Sequence, residues 1–247
     1  MKILFLTIVL GLGACLDNST TSTAGSATKS LKILFEDGDG PTFSDTEKEL
    51  IYGIIIESEA EVRALLPSLA TEIEIEVAQI ARNIDTVGGV TGRANAPGKI
   101  LLQLSSAFPG GVSGAAESAL ALATFHELHH LYRGWTIQDN EFGPGIPIAA
   151  VNEGLASVFS EEFTGVYFPE SYGYPDDVDL WLEEILALPA DASYSDWVGG
   201  EHPDGRDAIG YRVGRYIVHQ ATANSGAGVL DLGHLSPDEI LALAKAR

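Results

Sequence analysis

"TFHELHH", residues 124–130, closes an apolar run and sets two histidines four residues apart, with a glutamate directly after the first. Three of the chain's six histidines fall in these seven residues. A helix turns about 100° and rises about 1.5 Å per residue, so His126 and His130 share one face, about 6 Å apart along the axis. Two imidazoles so placed can grip one metal ion. Glu127 is swung round the helix, clear of ligation but within reach of a water on that ion. Zinc lowers the pKa of such a water to about 7. The carboxylate then takes its proton during attack on a carbonyl and returns one to the leaving amine. The preceding "ESALALATF" is apolar and helix-forming, which predicts a buried helix from about 115 to 132. The competing reading of the histidines is a polar surface patch. His129 lies about 100° from His130 and reads as structural or supporting, not as a ligand.

A catalytic zinc takes three protein ligands and leaves a fourth position for water. A third histidine would require glycine at 133 and histidine at 136, but the chain has Arg133 and Thr136. Between residues 131 and 160 the remaining glutamates are Glu141, in the turn-rich "DNEFGPG", and Glu153, in the helical "IAAVNEGLASVFSEEF". A helix over about 148–163 can lie against the first one, which makes Glu153 the better candidate. Arg133, one turn beyond His130, is placed to pair with a buried carboxylate.

"HELHH" followed by "NEGLAS" resembles the gluzincin group of zinc metallopeptidases. The longer pattern "HELHHLYRG … NEGLAS … YSDWVGG … GYRVGRYIV" resembles a bacterial family of predicted zinc-dependent proteases, over roughly residues 90–220. The resemblance implies a zincin-like α+β fold with a small twisted sheet, an active-site helix and a ligand-bearing helix behind it. It implies one Zn2+ on His126, His130 and Glu153, with Glu127 as general base. It also implies that the strand before the active helix, "KILLQLS", is the sheet edge lining the cleft. A peptide would then pair its backbone with Leu101, Leu102 and Gln103. In "IGYRVGRYIVHQ" the resemblance favours Tyr211 as the donor to a developing oxyanion, with His219 ranked second. Gly210 and Gly214 would let that helix approach another closely.

The rest of the chain narrows the setting. With 247 residues and 45% hydrophobic content it suits one domain, or at most two small ones. A formal charge of −21 repels phosphate backbones and argues against a nucleic-acid partner. "MKILFLTIVLGLGAC" has a basic start and an apolar stretch too short to span a bilayer comfortably. Leu12-Gly13-Ala14-Cys15 resembles a bacterial lipobox, which implies removal of residues 1–14 and acylation of Cys15, the only cysteine. Several acyl chains give durable anchoring. The expected setting is therefore the bacterial cell envelope, extracytoplasmic and lipid-anchored. Residues 15–30 are polar and read as a flexible tether, leaving a catalytic domain over 31–247.

Within that domain, "LKILFE" reads as a buried strand and "DGDGPT" as a turn. Ser44 to Glu47 form a capping box that opens a helix to about Leu66, ended by Pro67. "TEIEIEVAQI" alternates, so it reads as a half-exposed strand. "VGGVTGRANAPG" reads as glycine-rich connecting sequence, followed by the strand "KILLQLS". Further helices are expected near 176–188, 206–222 and 236–246. Strands early and helices late give an α+β domain. Trp181 and Trp197 read as packing residues, and Glu183, Glu184, His202 and His234 as surface groups.

The expected function is a zinc metallopeptidase acting on a peptide or protein. The main alternative is a peptidase-like surface lipoprotein with a binding role or a structural metal, although a structural site has no need of Glu127. A hydrolase of non-peptide amides would use the same residues. Nothing in the chain sets an oligomeric state.

Overall fold

The computed structural model describes residues 30–36 and 41–246, with the side chains of residues 171 and 172 excepted. The leader, Cys15 and nearly all of the tether lie outside the described residues, as does most of the acidic turn at 37–40. Among the described residues no helix is long and apolar enough to cross a membrane.

Four strands form one mixed sheet: β1 (Ser30–Glu36), β2 (Glu72–Ile80), β3 (Val90–Ala96) and β4 (Lys99–Ser105), in the spatial order β1-β2-β4-β3. Helix α1 (Asp45–Leu65) connects β1 to β2, which pair in parallel. It starts where the capping box predicts: the Ser44 hydroxyl accepts from the Glu47 N–H while the Glu47 carboxylate accepts from the Ser44 N–H. The alternation in β2 holds over its first half. Ile73, Ile75 and Val77 join Ile51, Ile55 and Val62 of α1 in the core, while Glu72, Glu74 and Glu76 stay wholly or partly exposed.

After β2 the chain skips one strand position, runs back as β3 and returns through a hairpin as β4, which inserts between β2 and β3. The expected edge position of "KILLQLS" is therefore corrected. Leu101, Leu102 and Gln103 sit in a strand whose backbone is paired on both sides, with residues 76–78 and 91–93. The ladder leaves that strand no free edge for a peptide, and the Leu102 side chain is fully buried. The edge strand on that side of the sheet is β3, in the stretch that reads as a glycine-rich connection.

The second half is helical. Helix α2 (Gly111–Ala115) passes through one π-turn (Ala116–Leu120) into α3 (Ala121–Arg133). Such turns insert a residue into the helical register and recur at functional sites. Then come α4 (Ile146–Thr164), α5 (Pro169–Tyr172), α6 (Val178–Leu186), a π-turn (Ser195–Gly199), α7 (Ile209–Ser225), α8 (Val229–Leu232) and α9 (Pro237–Lys245). Helix α3 packs between the β3–β4 hairpin and α4, and α4 packs in turn on α7.

Candidate metal centre

Helix α3 ends at Gly134, whose φ of 71° is left-handed, and Trp135 N–H returns to the His130 carbonyl. This stop fixes the last turn of α3, which carries His130, and turns Trp135 towards α4. Asn152 and Glu153 lie on the buried face of α4.

The side chains of His126, His130 and Glu153 converge. Glu153 Oε2 is 3.2 Å from His126 Nε2 and 3.2 Å from His130 Nε2, and the two nitrogens are 2.9 Å apart. A tetrahedral zinc with bonds of about 2.0–2.1 Å separates its ligand atoms by about 3.3 Å, so this triangle fits three ligands of one ion. The chemistry fits as well: two imidazole lone pairs and a carboxylate oxygen aimed at one point repel each other unless a cation lies between them. In the metal-free site, where the imidazoles carry protons instead of the ion, burial alone would raise the Glu153 carboxyl, but the attraction of His130 and hydrogen bonds from both histidines hold it well below the usual range.

The other Glu153 oxygen is also engaged. Oε1 accepts from Tyr194 Oη at 2.8 Å and from Trp135 Nε1 at 3.1 Å. These two donors fix the plane of the carboxylate, as supporting hydrogen bonds do around metal sites. Tyr194 is 48% exposed as a whole, but its hydroxyl is turned in against Glu153. Desolvation there, together with that carboxylate, pushes the hydroxyl above its ordinary pKa, so it remains a donor. Sequence reasoning missed both residues. The turn enforced by Gly134 was the available signal for Trp135. Tyr194 lies in the quoted "YSDWVGG" stretch, but nothing in that stretch marks it as a partner of Glu153.

Glu127 lies against β3. It is 4% exposed, and its Oε2 is buried with no hydrogen-bond partner among the described residues. The Ala94 backbone donates to its carboxylate, and a Cβ on Gly92 would come 2.6 Å from Glu127 Cγ. Only glycine at 92 lets the carboxylate seat on the edge strand. Burial pushes the Glu127 carboxyl up to about 8, and the nearby charge of Glu153 adds to this. A carboxylate with a raised pKa and an unpartnered oxygen beside a metal cluster is suited to moving protons.

Tyr211 on α7 stacks on His126, with ring centroids 6.0 Å apart, and it borders the hollows on both sides of Glu127. His219 is not brought to the cluster. Two turns further along α7, it faces Tyr174 at 3.2 Å and borders a separate hollow with Val158 and Glu162. His129 is buried against Phe159, outside the cluster. Among the described residues Arg133 pairs with no carboxylate, contrary to expectation. Its Nε donates to Asn152 Oδ1 at 3.0 Å and its Nη1 to the carbonyls of Gly233 and Leu235. It thereby ties the end of α3 to the residue preceding Glu153. Trp181 and Trp197 both pack on Arg206, and His202 is tucked against Trp197 rather than lying free on the surface.

No curated protein and no solved structure matches the chain. A family model does: residues 51–242 match the family described as "Predicted Zn-dependent protease (DUF2268)". That span contains the three metal-facing residues, Glu127, the edge strand β3 and Tyr211, and the chain belongs to this family of predicted zinc-dependent proteases.

Proposed function

We propose that this protein is a zinc metallopeptidase of the gluzincin type with a zincin-like fold, which hydrolyses peptide bonds of a peptide or protein substrate. The observation that carries the reading is the convergence of His126, His130 and Glu153 within 4.8 Å, beside a glutamate oxygen that is buried and unpartnered. A structural zinc is enclosed by four protein ligands. Three ligands next to a proton-accepting carboxylate suit a catalytic one.

His126, His130 and Glu153 would hold the zinc, which would supply Lewis acidity and make a water beside Glu127 easier to deprotonate. Glu127 takes the proton of the attacking water at Oε2 and later passes it to the departing amine. Gly92 and the Ala94 N–H hold the carboxylate in place for both transfers. Trp135 and Tyr194 hold Glu153 in its ligating orientation. Tyr211 stands beside His126 and donates its hydroxyl proton to the oxyanion that develops on the substrate carbonyl. On β3 the antiparallel ladder alternates. Gly89 O accepts from Ser105 N–H on the β4 side, and Ala94 O accepts from Ile137 N–H on the outer side. By that alternation Gly92 turns its N–H and C=O outward, next to Glu127, and an extended substrate pairs there.

The leader and Cys15 support a further part of the proposal: the enzyme is held by lipid at the outer face of a bacterial membrane and works in the envelope.

The test is Glu127→Gln in the zinc-loaded protein, assayed against a mixed peptide library. Cleavage should fall by at least about a hundredfold while one zinc stays bound. Full activity in this variant overturns the mechanism. Absence of cleavage by the zinc-loaded wild type favours a binding role instead.

A further inference from the structure

Two hollows flank Glu127, and they differ in size and chemistry. The one towards the start of β3 is small, about 70 Å³, and its walls include Thr91, Ser157, Ser160 and Glu161. The one towards the end of β3 is about 600 Å³ and is walled by Trp135, Ile137, Pro144, Ile146 and Ala149, with Ala190 also on its lining. Its inner end is formed by Glu127, His130 and Glu153. It therefore opens directly from the metal centre, within the usual size range of ligand pockets.

The charges within it are already committed. Besides Glu127, His130 and Glu153 at the inner end, the one charged side chain on its lining is Arg93, which is exposed. Glu153 Oε1 is taken by Trp135 and Tyr194. Away from Glu127 and Glu153 at the inner end, no carboxylate of the described residues lies on the walls to receive an ammonium group.

The backbone on this side is committed too. Ile137 N–H donates to Ala94 O at 3.0 Å and Gln138 N–H to Asn95 O at 2.9 Å, so the chain's own residues occupy the edge of β3 from Ala94 onward. A peptide crossing the metal pairs with Gly92 and then finds no free edge. Beyond that point its hold comes from burying a side chain. Ile137, 68% exposed, stands on the lining with an apolar surface open to solvent.

We infer that this hollow is the specificity pocket of the enzyme and takes a bulky apolar side chain from the residue adjoining the scissile bond, an inference that rests on the peptidase reading above. The hollow on the other side of Glu127 is smaller, about 70 Å³, and carries Thr91, Ser157, Ser160 and Glu161 beside its apolar residues, so it matches such a group less well.

Two measurements test it. In the first, the zinc-loaded protein is titrated with phenylalanine hydroxamate and glycine hydroxamate, whose chelating group is the same and whose side chains differ. Phenylalanine hydroxamate should bind at least about tenfold more tightly, the scale set by burying one aromatic side chain. That advantage should vanish in Ala190→Trp, which places bulk at an exposed position on the lining. In the second, a mixed peptide library is digested and the cut sites are read by mass spectrometry. Phe, Leu, Met, Tyr or Trp should dominate one position next to the cut in the wild type and lose that dominance in Ala190→Trp. Equal binding of the two hydroxamates, or a preference untouched by Ala190→Trp, overturns the inference. If the hydroxamates discriminate as expected but no peptide is cut, the pocket stands and the peptidase reading falls.

Discussion

Gly154 of α4 and Gly214 of α7 meet backbone to backbone. A Cβ on Gly154 would lie 2.7 Å from Gly214 Cα and collide with its carbonyl, and a Cβ on Gly214 would collide with the Ala150 carbonyl. Glu153 directly precedes one of these glycines, and Tyr211 lies three residues before the other. The contact thus sets the distance between the helix that carries the third metal-facing residue and the helix that carries the proposed oxyanion donor.

Backbone atoms at such a contact cannot move aside as a side-chain tip can. Gly154→Ala or Gly214→Ala should destabilise the protein by about 1–3 kcal/mol, read as a lower midpoint in urea with an unchanged slope. A variant at either position with wild-type stability would show that the helices are further apart than described.

Gly92 makes a different prediction, because its neighbour is the proposed general base. Gly92→Ala brings a methyl group against Glu127 Cγ on the buried side of β3. Peptide cleavage should drop by about tenfold to a hundredfold, since small displacements of a reacting group cost that much, while zinc affinity stays at the wild-type level. Loss of zinc in this variant would place Gly92 with the metal ligands rather than with the base.

The buried Glu127 carboxyl also gives the metal-free chain a pH dependence. Its pKa is about 8 folded against 4.5 as the ordinary value. Between those values the folded chain keeps the proton and the unfolded chain releases it, so the folded state binds more protons. Stability therefore falls as pH rises from about 4.5 to about 8 and is level with respect to this group above and below that window. Urea unfolding of chelator-treated wild type and Glu127→Gln across this range should show a decline in the wild type that is reduced in the variant. Parallel curves would mean that Glu127 is hydrated in the folded state.

Features encoded within a turn or two of helix were legible in the sequence. The His126–His130 pair, the capping box at Ser44 and the helix around Glu153 all follow from i, i+3 and i, i+4 spacing. The close approach of α7 was readable from Gly214 because a helical glycine that packs tightly leaves a recognisable gap in the pattern. Long-range pairing was not legible. The edge strand β3 is written with Gly92, Arg93 and Asn95, a weak strand signal, and Gly92 is small because Glu127, 35 residues later, rests on it. Chain order then made β4 look like the edge, whereas the hairpin folds inward. Tyr194 reaches Glu153 across 41 residues, a distance over which local patterning carries no information.

The central claim concerns a single ion. Zinc titration of the metal-free protein, run beside Glu153→Ala, tests it most directly. One zinc should bind per chain, and the variant should bind it more weakly by more than the roughly ten- to hundredfold lost with an outer hydrogen-bond partner. Equal stoichiometry and affinity in the two proteins, or no zinc bound by the wild type, would contradict the account.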